Sequence, residues 1–247
     1  MPGAVAIAAT QQTIEEETMA DEKRVVILGG HGKIALLAAP KLIEAGYAVD
    51  SLIRNPEHRE DVAATGANPV LLDIEQADVD ALAGAFGGAE AVVFSAGAGG
   101  GNPERTRAVD HDAAVRSMDA AEQAGVSRYV MVSYARSETD VDALDRESSF
   151  FPYAQAKHDA DEHLRGTGLD YTILGPGRLT LEPATSALQL LDSAGRPLDG
   201  SEPPAELPGA SRENVAEAIV HVLRTTAATR ETVNFVDGET PLAEAIS

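Results

Sequence analysis

Three polar residues stand out by type and spacing. Tyr153 and Lys157 lie four apart in Tyr153-Ala-Gln-Ala-Lys157, which on a helix places both side chains on one face, one turn apart. An ammonium beside a phenol favours the phenolate, so this spacing predicts a tyrosine with a lowered pKa. Such a tyrosine can give or take a proton as a carbonyl and an alcohol interconvert. Ser133 follows the strand expected at Arg128 to Val132 and could hydrogen-bond the same substrate oxygen. Taken alone, the pair also fits a surface contact at the start of an amphipathic helix. What surrounds it decides between the two.

The elements that would position these residues begin at Val25. Four apolar, mostly β-branched residues, Val25 to Leu28, predict a buried strand, and Gly29-Gly-His-Gly32 then opens a helix from about Lys33 to Ala45. A helix beginning there aims unpaired N–H groups and its positive dipole end at whatever lies over the loop, and phosphate suits that place. Tight strand-to-helix turns also use glycine for geometry alone. Pro40 inside the helix predicts a kink or local irregularity. A second strand, Ala48 to Ile53, delivers Arg54-Asn55-Pro56 at its carboxyl end, where ligands of open parallel sheets bind. An acid there would accept from a ribose 2′-hydroxyl, whereas Arg accommodates a 2′-phosphate, so Arg54 favours NADP over NAD; as an alternative it is a solvated surface residue. Further strands are expected at Val70 to Leu72, Ala91 to Phe94 and Arg128 to Val132. Asp73 after the third could cap the next segment or lie near an adenine. The small residues Ser95-Ala96-Gly97 after the fourth leave room for a flat cofactor, or form a flexible loop. Ala77 to Phe86 and Pro103 to Ala124 read as helices. Strands alternating with helices predict an α/β fold, a doubly wound parallel sheet with helices on both faces.

Whole-chain properties narrow the classes. At 247 residues with no cysteine, disulfides, thiolate metal sites and a Cys nucleophile are excluded, and the six histidines show no metal-ligand spacing. A formal net charge of −21 opposes nucleic acid and anionic membrane as partners. No apolar run is long enough to span a bilayer, and the first residues lack the pattern of a signal peptide, so a cytoplasmic location is expected. Residues 1–22 read as a mobile arm, and 23–247 as one nucleotide-binding domain.

The chain resembles the short-chain dehydrogenase/reductase superfamily, specifically its atypical, NAD-dependent epimerase/dehydratase-like branch of small NAD(P)-binding proteins. The resemblance spans about residues 24–240. It rests on Gly29-Gly-His-Gly32-Lys-Ile-Ala35, Arg54-Asn-Pro, Leu72-Asp73, Ser95-Ala-Gly97, Ser133, Tyr153 to Lys157, and Tyr171-Thr-Ile-Leu-Gly-Pro176-Gly. It implies a Rossmann-like sheet, a bound nicotinamide dinucleotide (NADP or NAD), and Ser133, Tyr153 and Lys157 as catalytic residues. Gly29, His31, Gly32, Lys33, Ile34, Arg54, Asp73, Ile74, Ser95, Ala96, Gly97, Lys157 and Pro176 become its cofactor contacts. Two departures stand out: Ala35 replaces the third glycine of the loop, and Gly175 stands where relatives often have Arg, with Arg178 as a candidate substitute.

From Leu179 onward the chain is short. Residues 179–210 are expected as an irregular substrate-side cap, Ser211 as the N-cap of a helix from Glu213 to Leu223, and Thr232 to Val236 as a final strand before a short helix. So small a C-terminal region leaves little room for the nucleotide half of a sugar-nucleotide. The leading expectation is an NADP-dependent oxidoreductase acting on a small carbonyl or alcohol, as a monomer or homodimer. The alternatives are an epimerase or dehydratase that regenerates its cofactor, and a redox sensor that binds NADP without turnover.

Overall fold

The strand β1 (Arg24–Leu28) is buried along almost its whole length. Val25 and Ile27 join one hydrophobic core cluster while Val26 and Leu28 join another, as the alternation of a strand covered on both faces requires. The computed structural model describes residues 23–99, 102–202 and 208–247. The expected arm at 1–22 lies outside the described residues, as do Gly100, Gly101 and residues 203–207.

After β1 come α1 (Lys33–Glu44), β2 (Ala48–Ile53), α2 (Arg59–Ala64), β3 (Asn68–Leu71), α3 (Val79–Phe86) and β4 (Ala91–Phe94). Then follow α4 (Pro103–Thr106), α5 (Ala114–Ala124), β5 (Arg128–Val132), α6 (Asp140–Ala143), α7 (Phe151–Gly166) and β6 (Asp170–Pro176). The chain ends with β7 (Arg178–Thr180), β8 (Ala187–Leu191), β9 (Gly209–Ser211), α8 (Arg212–Thr225), β10 (Glu231–Asp237), β11 (Thr240–Pro241) and α9 (Leu242–Ala245). The main sheet has the order β11-β8-β10-β6-β5-β4-β1-β2-β3. From β3 to β10 every neighbouring pair is parallel, while β8 and β11 add an antiparallel edge. Helices α1 and α8 cover one face, and α3, α5 and α7 the other. This is the expected Rossmann-like architecture. The strand order reverses between β1 and β4, so the crevice at their carboxyl ends is where a dinucleotide-binding sheet places its ligand.

Several expectations change in detail. Pro40 sits exposed inside α1, and the helix carries through it to Glu44. The helix expected over Pro103 to Ala124 is interrupted by a π-helical stretch, Arg107–Ala113. Such a stretch inserts an extra residue per turn, and here Val109, Asp110 and Ala113 are all buried. Residues 179–210 hold more regular structure than expected. β7 pairs with β9 in a two-stranded sheet, and β8 joins the main sheet antiparallel to β10. Ser211 caps α8 as expected, its hydroxyl accepting from the Asn214 N–H at 2.9 Å.

Candidate active site and cofactor cleft

Gly29 makes the cleft possible. Its φ is +79°, and a Cβ there would stand 2.6 Å from the Ala96 Cα, so only glycine lets the loop after β1 pass so close to the segment after β4. The loop leads into α1 through Gly32, which supplies no side-chain cap, and the first turn of α1 holds no acid. Among the described residues no side chain caps the leading N–H groups of α1, which fits a phosphate over the loop. The cleft continues along the strand ends. Gly29, His31, Gly32, Arg54, Asp73, Ile74, Ser95, Ala96 and Gly97 line it, joined by His58, Glu75 and Arg105, which sequence reasoning missed.

Four expected cofactor residues do not line this cleft. Lys33 is exposed, and Ile34 packs into the core beside α8. Pro176 is buried at the end of β6. Lys157 is 1 % exposed; its Nζ donates to the Val132 carbonyl at 2.8 Å and lies 5.7 Å from the centre of the Phe94 ring. Asp73 accepts from the Glu75 N–H at 3.0 Å, capping the segment that follows, and it also lines the cleft; the two roles expected of it are compatible. Arg54 points into the cleft region with its guanidinium 2.7 Å from Glu75 Oε1, and Arg105 reaches the same oxygen at 3.2 Å.

Ser133 follows β5, and Lys157 of α7 meets the carbonyl of Val132 at the end of that strand. Tyr153, one turn before Lys157 on α7, packs against Tyr134 and Phe150. None of the three lines the cleft. Two buried carboxylates flank Lys157 and shape the site. Asp161, one turn further along α7, is fully buried and accepts from Ser133 Oγ at 2.5 Å. Asp110, turned inward by the π-helical stretch, is 2 % exposed and accepts from the Ala98 N–H at 3.1 Å. Burial raises the pKa of both carboxyls, and the Lys157 ammonium pulls each back down. Asp110 Oδ1 also lies 3.4 Å from where a Cβ on the cleft residue Gly97 would stand, and its charge acts on Tyr153.

Tyr153 differs from expectation. Its pKa is raised, first by burial and then by the charges of Asp110 and Asp161 and by Tyr134. The lowering expected from Lys157 does not prevail, because that ammonium is spent on Val132 and on the two carboxylates. A phenol in these surroundings keeps its proton. Tyr153 also belongs to an aromatic cluster, its ring centre 5.6 Å from that of Tyr134 and 5.4 Å from that of Phe150. Gly175 also finds a reason here. A Cβ at that position would overlap Asn234 Oδ1, so Asn234 of β10 occupies the space a larger residue would need. Arg178, the candidate substitute, is exposed.

Asp161 was legible in principle, since it lies four residues past Lys157 on the same helical face. Asp110 was not, because its inward turn depends on the π-helical insertion.

A doubly wound sheet with a glycine loop at its switch point is the fold of an NAD(P)-binding protein of the short-chain dehydrogenase/reductase class. The NAD(P)H-binding family model matches residues 29–226, and the chain belongs to that family. It is 34 % identical over 229 residues to the UPF0659 protein YMR090W of Saccharomyces cerevisiae, covering 90 % of this chain and 97 % of that one. It is 32 % identical over 228 residues to the uncharacterized sugar epimerase YhfK of Bacillus subtilis, covering 90 % and 98 %. The solved structure of the oxidoreductase ylbE from Lactococcus lactis superposes with a TM-score of 0.76 at 26 % identity, covering 90 % of this chain and 94 % of the other. The protein is an NAD(P)-dependent enzyme of the oxidoreductase and epimerase-like group. Among the described residues no helix is long and apolar enough to cross a membrane.

Proposed function

We propose that the protein is an NADP-dependent oxidoreductase that reduces a small carbonyl compound, with Tyr153 as the proton donor. The observation that carries this reading is the placement of Tyr153 on α7 one turn before Lys157, which meets the carboxyl end of β5, with Asp110 lying between Tyr153 and the cleft residue Gly97. A tyrosine that holds its proton at neutral pH suits the delivery of that proton to a carbonyl oxygen gaining negative charge. Bound NADPH would supply the hydride that the chain's own side chains cannot.

The residues divide the remaining work. The glycine loop and the start of α1 would hold the pyrophosphate, and Arg54 would meet the 2′-phosphate. Lys157, one turn after Tyr153, would supply positive charge near the reacting end and fixes α7 to β5 through Val132. Asp161 governs Ser133. While the carboxyl is ionised it takes the only hydroxyl proton, leaving Ser133 lone pairs alone for a substrate. Once protonated it donates to Ser133 and frees that hydroxyl to hold the substrate oxygen. Tyr134 and Phe150 line the substrate side with apolar ring surface. Every residue invoked belongs to one chain.

Screening carbonyl compounds with NADPH, then repeating the assay with Tyr153→Phe, tests the reading. Loss of turnover with cofactor affinity kept is expected; a variant that turns over normally would overturn it. The name of the Bacillus subtilis relative favours a second reading, an epimerase that restores its cofactor each cycle. That reading predicts product with no net change in the absorbance of reduced nicotinamide.

A further inference from the structure

The Arg54 end of the cleft contains a pair of imidazoles, His31 and His58. Asn55 Oδ1 accepts from the Glu57 N–H at 3.0 Å and starts the single turn Pro56–His58. That turn brings His58 back over the glycine loop, where its ring lies parallel to His31, centres 3.6 Å apart and planes 13° apart. His31 is anchored separately, its Nε2 2.8 Å from Asp61 Oδ2 on α2. The stack therefore fixes His58 by its face, and neither ring nitrogen of His58 is hydrogen-bonded among the described residues. Both imidazoles and Arg54 line the same cleft.

We propose that His58 is a specificity-determining residue that, with Arg54, recognises the 2′-phosphate of the cofactor. A phosphate dianion calls for several donors converging from different elements. Arg54 at the end of β2 provides one and the edge of His58, four residues on, the second, with His31 beneath as the platform that holds the ring. The ribose of NAD carries a hydroxyl at this position and would use neither donor fully. This inference rests on the proposed preference for NADP and adds the residue that enforces it.

The test is calorimetric titration of NADPH and NADH into the wild type, His58→Gln, His58→Lys and Arg54→Gln. His58→Gln is expected to weaken NADPH binding about tenfold while leaving NADH unchanged, the size of one lost hydrogen bond to a charged group. His58→Lys, which restores a donor with charge, is expected to recover most of the loss. A His58→Gln variant with an unchanged NADPH-to-NADH ratio, or with both cofactors weakened alike, overturns the proposal. If Arg54→Gln still removes the preference in that case, the NADP reading stands without His58. A wild type that binds NADH as tightly as NADPH overturns both.

Discussion

Ser133 Oγ donates to Asp161 Oδ2 at 2.5 Å, tying the residue just after β5 to the helix that carries Tyr153 and Lys157. The bond is buried, and the carboxyl beside it is held above the ordinary carboxylate range by desolvation, against the pull of Lys157, Ser133, Ser137 and Arg165. A carboxyl with a raised folded pKa binds its proton more tightly in the folded chain than in the unfolded one. Protonation then stabilises the fold. That stabilisation is complete below the ordinary aspartate value of 3.8 and is lost as pH rises through the raised folded value. Asp161→Asn removes this dependence. Denaturant unfolding at several pH values is expected to show the wild type gaining on Asp161→Asn as pH falls towards 3.8. A difference independent of pH contradicts the assignment.

Glu75 holds both Arg54 and Arg105 through one carboxylate oxygen. These contacts are partly exposed and contribute little to stability, yet they place a negative charge beside the proposed phosphate position. Glu75→Gln is expected to tighten NADPH binding several-fold and to change NADH binding far less. Titration of both cofactors checks it, and equal effects on the two place Glu75 elsewhere than at the 2′-phosphate.

Gly175 and Asn234 stand opposite each other in the β6–β10 register. Because a methyl carbon added at Gly175 would overlap Asn234 Oδ1, Gly175→Ala is expected to cost about 1–3 kcal/mol, the scale of overpacking in a filled core. Gly175→Ala combined with Asn234→Ala should recover much of that loss. Thermal unfolding of the two singles and the double measures the coupling, and additive losses would mean that the two positions do not compete for space.

Much of this arrangement is legible in the residues. Alternating apolar strands and helices mark the parallel sheet from β1 to β5, and Ser211 marks the start of α8, because both signals are local. The cofactor cleft follows from strand ends and the glycine loop. Its finer content does not. His58 reaches the cleft only through the turn set by Asn55 and Pro56, and Asp110 only through the π-helical insertion. The state of Tyr153 escapes the sequence for a related reason. Spacing shows that Tyr153 and Lys157 share a face, but the balance lies with burial and with Asp110, which comes from another helix. The strands β7, β8 and β9 escape notice because each is short and pairs with residues distant in sequence.

The raised pKa of Tyr153 carries its own consequence. A proton held that firmly is available for donation throughout the neutral range, so the rate of carbonyl reduction should not fall from ionisation of this tyrosine near neutral pH. A pH–rate profile for any reducible carbonyl checks it. A fall in reduction rate with pH that disappears in a variant altered only at Tyr153 would show a phenol of ordinary or lowered pKa.

The central claim joins the glycine loop to Tyr153 through one bound cofactor, and a crystal structure of the protein with NADP tests it most directly. The account predicts the pyrophosphate over Gly29 to Gly32, the adenosine 2′-phosphate at Arg54, and the nicotinamide ring beside the Tyr153 hydroxyl. A cofactor whose nicotinamide lies away from Tyr153, or that binds outside the cleft between β1 and β4, would contradict it.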